Sequence, residues 1–418
     1  MLRLLRLLKS PKAYCWTFVG VAFLAWFFLG GIRDTFGVFI RPWADQYGWS
    51  VAAISGAMSV NMVVNGVAGP IIGALVDRFG TKPVLLGLVS LMAAGTLAVA
   101  AVHSLWQLYL IFGLMLGLAA NLVPVTGPLV AQLFPKRRGL AFSLVPAGNP
   151  VGLAVLGPLA VLLAESVSWR VVWLVMGLAT LVLIPIVLLV VRGGRSGGRS
   201  GDVRQGQAPP SGSTMHEVLR SPAFWLLAVG FFVCGMTARL FFTQMVPIAR
   251  EGGMRPGQVA ALASIAGVAA VPGLLLFGTA ADKVSRSGLL GVNFALRVIA
   301  YGSMALYLVT GRVPLMFFGA TAMSFLSRAT DPVFTTLLVN CFGVRSLGKM
   351  LGVLVLLHQV AGALGVFAAG LVFDLRGSYL DVLLTGMFLL VVASVASWRI
   401  SEKKAFSEPP ALPAAESA

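Results

Sequence analysis

Charged residues are scarce in this sequence. Asp, Glu, Lys and Arg together make up 11% of its 418 residues, while hydrophobic residues make up 58%. Soluble domains contain about a quarter charged residues, so this composition excludes an ordinary soluble fold. Most of the chain must therefore face lipid or other parts of the protein.

Cysteine and histidine are rarer still, with three residues of each. Cys15, Cys234 and Cys341 lie too far apart in the sequence to suggest a disulfide framework or a metal site. The sequence lacks the H-E-x-x-H pattern of zinc enzymes, and of its histidines only His358 falls inside an apolar run. We therefore expect a protein that is not an enzyme and that holds no metal or other cofactor.

Long apolar runs dominate what the sequence does contain. A helix needs about 20 apolar residues to cross the hydrocarbon core of a bilayer. Runs of this length recur twelve times, separated by short breaks rich in Gly, Pro or charge. Because backbone polar groups in lipid must be satisfied within their own segment, these runs are helices. The predicted fold class is an all-α membrane protein with twelve transmembrane helices.

Basic residues outnumber acidic ones, and the net charge is +17. They concentrate in segments that lie inside the cell if both termini are cytoplasmic, which is the bias that orients membrane proteins. We interpret the basicity as a signal of topology and expect no nucleic acid as a partner. The predicted location is the cytoplasmic (inner) or plasma membrane, where we expect a monomeric protein whose partner is the lipid bilayer.

The chain divides into two halves. Residues 192–222 are rich in Gly, Ser, Arg and Pro, a composition that cannot bury a core, and form a predicted cytoplasmic linker. They separate a bundle of six helices at 16–191 from a second bundle at 223–399. Residues 1–15 and 400–418 are predicted to be cytoplasmic end segments, the latter disordered.

An internal duplication supports two pseudo-symmetric bundles of six helices. Gly73-Ala-Leu-Val-Asp77-Arg78 ends the second helix, and Gly278-Thr-Ala-Ala-Asp282-Lys283 ends the eighth, with the small residue, the acid and the base in register. The first copy resembles the signature of the major facilitator superfamily, G-x-x-x-D-R-x-G-x-[RK], whose matching residues here are Gly73, Asp77, Arg78, Gly80 and Lys82.

That resemblance implies a fold and a gating role. The family joins two six-helix repeats by a long cytoplasmic loop and holds its substrate near the membrane midplane between them. The motif residues, with Asp282 and Lys283 in the second copy, are then expected to hold one conformational state closed.

A narrower resemblance covers residues 134–152. Phe134-Pro-Lys136-Arg137-Arg138-Gly139-Leu-Ala-Phe-Ser-Leu-Val-Pro-Ala147-Gly148-Asn149-Pro150-Val-Gly152 is similar to the helix 5 signature of monocarboxylate transporters and their bacterial oxalate/formate-type relatives. It implies a secondary transporter of a small organic anion, working by alternating access and coupled to protons or to exchange. It also makes Lys136, Arg137 and Arg138 candidate gating residues. The family usually places an arginine in helix 8, but residues 266–278 carry no charge, so the anchor for a carboxylate must lie elsewhere.

Charges inside the predicted helices are the candidate site residues, because each costs roughly 2.5 to 3.5 kcal/mol near the bilayer centre. The candidate anion-binding residues are Arg33, Arg239 and Arg328. Arg297 lies in helix 9, which is normally peripheral, and we assign it to an interhelical contact or to snorkelling at the membrane surface.

Two pairs of these charges leave alternatives open. Arg33 and Asp34 point about 100° apart on a helix, so one of them should face the central cavity. We favour Arg33, the alternative being an ion pair with a neighbouring helix on the extracellular side. Arg328 and Asp331 share a helix face and can pair. That pair is structural, or it opens so that the arginine binds a substrate carboxylate, which makes Arg328 the leading anchor.

Three further polar residues are candidates. His358 is assigned to proton coupling together with Asp34 and Asp331, because histidine titrates near neutral pH; packing is the alternative role. Asn121 and Asn149 either line the substrate site or form hydrogen bonds across helix interfaces.

A second function fits the same fold. The run from Gly152 to Gly157-Pro158 in helix 5 is faintly similar to the antiporter motif of drug exporters. An exporter of drug-like or amphipathic compounds is therefore the alternative to an organic-anion carrier.

Overall fold

The computed structural model describes residues 11–134, 143–191, 212–281, 283–343 and 345–402, apart from the side chains of residues 11–13, 278 and 332. Across these ranges the regular elements are helices, and an isolated bridge between Gly212 and Gly343 adds no sheet. Residues 136–138, Asp282, most of the predicted linker and both extreme ends of the chain lie outside the described residues.

Within these described ranges the helices form twelve rods, labelled α1–α12. The rods of the first half are α1 (Pro11–Asp34 and Phe36–Tyr47), α2 (Val51–Phe79), α3 (Thr81–Val99), α4 (Leu105–Leu108, Tyr109–Met115, Leu116–Ala119 and Val123–Leu133), α5 (Gly148–Ser166) and α6 (Trp169–Leu181 and Leu183–Val190). A short helix, Met215–Arg220, precedes the second half. The remaining rods are α7 (Pro222–Glu251), α8 (Pro256–Ala280), α9 (Arg286–Thr310), α10 (Val313–Ser327 and Thr330–Phe342), α11 (Leu347–Arg376) and α12 (Leu380–Trp398).

Within the described residues, eleven rods are long and apolar enough to cross a membrane, and α10 is divided into two shorter apolar helices. The prediction of an all-α membrane protein is confirmed. The break in α10 falls between Ser327 and Thr330, where the Thr330 hydroxyl donates to the Ser327 carbonyl over 2.8 Å. Such hydroxyl groups compete with the backbone for hydrogen bonds and interrupt helices, which hydropathy alone does not reveal.

Close contacts through glycine hold α5 against α1. A Cβ atom at Gly152 would overlap the carbonyl oxygen of Phe27, and one at Gly30 would overlap the backbone of Asn149. Small residues let membrane helices approach this closely. The two rods are thereby fixed in the region that carries Asp34 and Asn149.

Gly152→Ala is expected to destabilise the folded protein by about 1–3 kcal/mol, the usual cost of overpacking a tight contact. The melting temperature of the purified, detergent-solubilised protein measures this loss. Gly20→Ala is the matched control, because Gly20 lies exposed on α1 with open space around it. Alanine favours a helix there by about 0.5–1 kcal/mol. Equal melting temperatures for the two variants would contradict the packing argument.

The rods end at two faces of the molecule. Val191 and Gly212 border residues 192–211 of the predicted linker, which lie outside the described residues. The face that carries Val191 and Gly212 is called the linker face below, and the opposite one is the far face. At the linker face Ser213 donates its N–H to the carbonyl of Phe342 over 2.8 Å, which joins the described end of the predicted linker to the end of α10.

The two halves meet from the middle of the molecule to the far face. The Asp374 carboxylate, near the end of α11, accepts the N–H groups of Val51 and Ala52 at the start of α2, over 2.9 and 2.8 Å. Arg250 forms an ion pair with Glu165 of the other half. An acid at a helix N-terminus is favourably placed, so these contacts stabilise a closed far face.

Toward the linker face the halves separate. Near the middle of α2, a Cβ at Gly66 would lie 3.1 Å from Gln359 Cβ and 3.3 Å from Leu356 Cδ1, so α2 and α11 approach closely there. Continuing along these two helix faces toward the linker face, at steps of three or four residues, the next positions are all exposed: Pro70, Ala74 and Asp77 on α2, and Gly352 and Lys349 on α11. Surfaces that touch at the middle therefore part at the linker face, and the molecule is open on that side.

Candidate functional site

Asp34 lies where α1 is interrupted in the middle of the molecule. It ends the first segment of α1, and Thr35 forms a turn before Phe36 begins the second. The Thr35 hydroxyl donates to the carbonyl of Gly31 over 2.5 Å, which draws one hydrogen bond out of the regular helical pattern. Asp34 is 3% exposed, so its carboxylate needs partners.

Arg328 supplies one of these partners from the opposite half. It lies in the break of α10, where its Nη2 is 3.2 Å from Asp34 Oδ2 and donates to Asn149 Oδ1 over 2.6 Å. Its guanidinium also lies 5.0 Å from the ring centroid of Phe242 on α7. The arginine thus bridges the halves and remains partly accessible, with 21% of its side chain exposed.

Arg239 is the second partner of Asp34. Its Nη1 lies 3.8 Å from Asp34 Oδ1, an ion pair rather than a hydrogen bond. Gly362 on α11 makes room for this side chain, because a Cβ there would lie 2.8 Å from Arg239 Cγ. One carboxylate from the first half is therefore shared by two arginines of the second.

Arg33 adds a third cation to the same place. It is 6% exposed, and its Nε and Nη2 atoms have no hydrogen-bond partner within the part of the chain that the structure describes. It interacts electrostatically with Asp34, Arg239 and Arg328. Cations thus outnumber the acid at this place, an arrangement whose electrostatic potential favours negative charge.

The expected pair between Arg328 and Asp331 is corrected by the structure. Arg328 pairs with Asp34, and Asp331 is exposed one turn further on. The interruption of α10 between Ser327 and Thr330 removes the regular spacing that would bring the two side chains together. Asp331 instead interacts electrostatically with Arg239 and His358.

His358 lies on α11 next to this cluster. It is half-buried, and its ring lies 5.2 Å from that of Phe231 on α7. The charged groups that act on it are Arg239, Asp331 and Arg297. The structure thus brings Arg33, Asp34, Arg239, Arg328, Asp331 and His358 into one electrostatically connected region.

The two candidate asparagines differ in position. Asn149 joins the cluster through Arg328. Asn121 lies in the interruption of α4, where its amide donates to the carbonyls of Leu118 and Gly117 over 3.2 and 3.4 Å. The Leu118 carbonyl also accepts the backbone N–H of Asn121 over 3.3 Å, and a Cβ at Gly69 of α2 would lie 3.5 Å from Asn121 Oδ1. The side chain of Asn121 thus bonds to its own broken helix and faces α2.

The motif at the end of α2 lies at the open linker face. Asp77 and Arg78 are exposed, and Arg78 lies over the ring of Phe79 at 5.2 Å. Lys82 donates to the carbonyl of Leu188 at the end of α6 over 2.8 Å. Gly73 is half-buried, Gly80 adopts φ 88°, and Lys283 is exposed.

Arg297 does not snorkel to the membrane surface. It is 0% exposed and donates from α9 to Thr237 and Cys234 of α7, so of its two expected roles the structure shows the interhelical contact. Phe242 was not a sequence candidate, although its position one turn after Arg239 on an apolar helix is a signal that could have pointed to it.

Comparison with known proteins gives one family. The model of the Major Facilitator Superfamily matches residues 22–311. The chain is 24% identical to YcxA, an uncharacterised transporter of this type from Bacillus subtilis (strain 168), over 84% of this chain and 86% of that protein. It is 27% identical to the oxalate:formate antiporter of Oxalobacter formigenes over 68% of this chain and 67% of that one. Monocarboxylate transporter 13 of Rattus norvegicus is 26% identical over 91% and 87% of the two chains.

A solved structure supports the fold. The bacterial homolog of the human lysosomal transporter Spinster, crystallised in an inward-facing and occupied conformation, superimposes with a TM-score of 0.71. The match covers 91% of this chain and 95% of that one at 16% sequence identity. At this identity the likeness concerns the fold alone.

Proposed function

The chain belongs to the Major Facilitator Superfamily, and we propose that it moves a small organic anion, a monocarboxylate or a close analogue, across the membrane by alternating access. It is a multi-pass membrane carrier and not an enzyme. The relatives named as an oxalate:formate antiporter and a monocarboxylate transporter support a carboxylate as the substrate.

The proposal depends on one observation: the carboxylate of Asp34 forms ion pairs with two arginines at the centre of the molecule. Asp34 lies within 4 Å of both Arg239 and Arg328, which come from the opposite half. A guanidinium binds a carboxylate through paired hydrogen bonds and does not depend on which molecule supplies it. A substrate carboxylate that enters the open side can therefore replace Asp34 at Arg328.

The exchange of carboxylates gives a route to coupling. A substrate anion and an ionised Asp34 compete for the same cations, so protonation of Asp34 frees the arginines for the substrate. Asp331 and His358 lie beside Arg239 and provide further groups that can take up a proton. Under this proposal one proton accompanies each anion, or one anion exchanges for another.

The two faces have separate roles in alternating access. The excess of basic residues in the linker and end segments favours a cytoplasmic linker face. The structure would then represent the state open to the cytoplasm, with Asp374, Arg250 and Glu165 closing the far face. Asp77, Arg78 and Lys283 are exposed in the present state. In the state that is open at the far face, we expect them to form contacts that close the linker face.

Uptake by proteoliposomes tests the proposal. A panel of radiolabelled monocarboxylates and dicarboxylates is offered with and without a pH gradient, and with and without unlabelled anion inside the vesicles. We expect saturable uptake of at least one carboxylate, increased by an acidic outside or by internal anion. Absence of carboxylate uptake, together with resistance of expressing cells to toxic amphipathic compounds, would establish the exporter instead.

A further inference from the structure

Arg297 is a buried cation without an acidic partner. It is 0% exposed, and no carboxylate lies within 4 Å of it in the ranges that the structure describes. Its Nη2 donates to Thr237 Oγ1 over 2.8 Å, its Nη1 donates to Cys234 Sγ over 3.3 Å, and its guanidinium lies 5.4 Å from the ring centroid of Phe294. Burying a charge in this way is costly, so a reason for its presence is required.

Both hydrogen-bond partners lie on α7, the helix that carries Arg239. Thr237 precedes Arg239 by two residues, and its backbone carbonyl accepts the hydroxyl of Tyr301 over 2.6 Å. Since Arg297 and Tyr301 are one turn apart on α9, that helix holds Thr237 by side chain and backbone together. These two hydrogen bonds hold α7, next to Arg239, in its rotation about its own axis and in its position along α9.

A second set of contacts reaches the break in α10. Cys234 Sγ lies 3.3 Å from Thr330 Oγ1, and that hydroxyl donates to the carbonyl of Ser327 over 2.8 Å. Ser327 and Thr330 border the interruption that holds Arg328. Arg297 therefore contacts α7 directly and reaches α10 through Cys234 and Thr330. These are the two helices whose arginines, Arg239 and Arg328, share Asp34.

We propose that Arg297 is a positioning residue, which holds α7 and α10 in the relative arrangement that lets Arg239 and Arg328 bind one carboxylate. This inference rests on the proposed function for its consequence in transport. The planar guanidinium contacts two partners at a fixed angle, which the single flexible ammonium of lysine does not reproduce. Misplacement of a binding group by about 1 Å can cost as much as 100-fold, so the remote contact has a large effect.

Transport kinetics of three variants test the role. Arg297→Met removes the charge and the forked geometry, and Arg297→Lys keeps the charge. Thr237→Val removes the hydroxyl that accepts from Arg297 and donates to the Val233 carbonyl within α7. We expect Arg297→Met and Thr237→Val to raise KM for the transported carboxylate about tenfold, which corresponds to about 1.4 kcal/mol, while Vmax per folded transporter changes little. Arg297→Lys should restore KM only in part. Thr310→Val is the matched control, because Thr310 is an exposed threonine at the end of α9 whose hydroxyl donates to Leu306 one turn earlier and accepts the N–H of Arg312 over 3.4 Å, with no bond to α7 in the described structure.

The outcomes separate positioning from two simpler roles. If Arg297→Lys restores KM fully and Thr237→Val leaves KM unchanged, Arg297 contributes charge alone and the proposal is overturned. If all three variants lower the amount of folded protein but leave KM unchanged, the residue is merely structural. Should Arg297→Met fail to fold, the other two variants still decide between these outcomes.

A measurement without substrate keeps the test independent of the proposed function. We measure the melting temperatures of Asp34→Asn, Arg239→Gln and the double variant, first with Arg297 present and then in the Arg297→Lys background. With Arg297 present, we expect the effects of the Asp34 and Arg239 substitutions to be non-additive, which shows that the two residues are coupled. In the Arg297→Lys background we expect this coupling to be smaller. Undiminished coupling would overturn the positioning role. A protein that takes up no carboxylate but shows the expected loss of coupling would refute the proposed substrate and leave the positioning role intact.

Discussion

Arg328→Gln is expected to lower Vmax/KM for carboxylate uptake by about 100-fold or more. Arg328 is the single side chain that contacts both Asp34 and Asn149 of the opposite half in the described structure. Removing one partner of a buried, hydrogen-bonded ion pair costs about 3–5 kcal/mol. Each 1.4 kcal/mol is about a tenfold change in an equilibrium constant, so the loss exceeds two orders of magnitude. Initial rates of uptake in proteoliposomes, corrected for the amount of folded protein, measure it.

Two further substitutions define what Arg328 contributes. Arg328→Lys keeps the positive charge but loses the forked geometry, and an intermediate loss of uptake is expected. Arg312→Gln applies the same chemical change to an exposed arginine just before α10 and should leave uptake unchanged. Full uptake by Arg328→Gln in a folded protein would show that the anion is anchored elsewhere, with Arg33 and its unpaired nitrogens as the next candidate.

The fold could be predicted from the sequence because membrane helices obey a simple requirement. Each span must be apolar over its whole length and must satisfy its own backbone, so composition and run length suffice. The break in α10 could not be predicted in this way. It depends on a few hydroxyl and backbone contacts around Ser327 and Thr330, which change the helix without changing its hydropathy.

The residues of the candidate site could be identified, but their pairing could not. Charges inside apolar runs are rare, and the sequence therefore singled out Arg33, Arg239 and Arg328 together with Asp34. Which of two neighbours on a helix meets a partner depends on the rotation of the helix. We expect Arg33 rather than Asp34 at the central position from the sequence, whereas the structure buries both residues and Asp34 forms the two ion pairs.

The number of cations in the site limits its chemistry. Arg33, Arg239 and Arg328 face one carboxylate at the centre, and Asp331 is exposed nearby. When a substrate anion takes the place of Asp34 at the arginines, Asp34 remains part of the cluster. The net charge of the cluster then depends on whether Asp34 is ionised or protonated. Under the proposed function, this single residue is the simplest candidate for coupling the anion to a proton.

Asp34→Asn is accordingly expected to abolish the accumulation of anion that a pH gradient drives, while exchange of internal for external anion continues. For one proton carried with each anion, a gradient of one pH unit supports an accumulation of about tenfold, equivalent to about 1.4 kcal/mol. Asparagine cannot gain or lose the proton, so in the variant the internal and external concentrations should become equal. The amide also leaves Arg239 and Arg328 without a counter-ion, and the melting temperature without substrate should fall. Uptake at a series of fixed pH gradients, compared with counterflow at equal pH, separates the two activities.

Asp45→Asn is the matched control for this experiment. Asp45 lies on the same rod, 73% of its side chain is exposed, and its partner is the equally exposed Arg41. A surface ion pair of this kind is worth at most about 1 kcal/mol, so the control should accumulate anion normally. Undiminished accumulation by Asp34→Asn would move the proton to Asp331 or His358, and the two variants Asp331→Asn and His358→Gln then identify which. Loss of exchange as well as of accumulation would show that Asp34 is needed for the conformational change itself, because its carboxylate joins the two halves in the state described here.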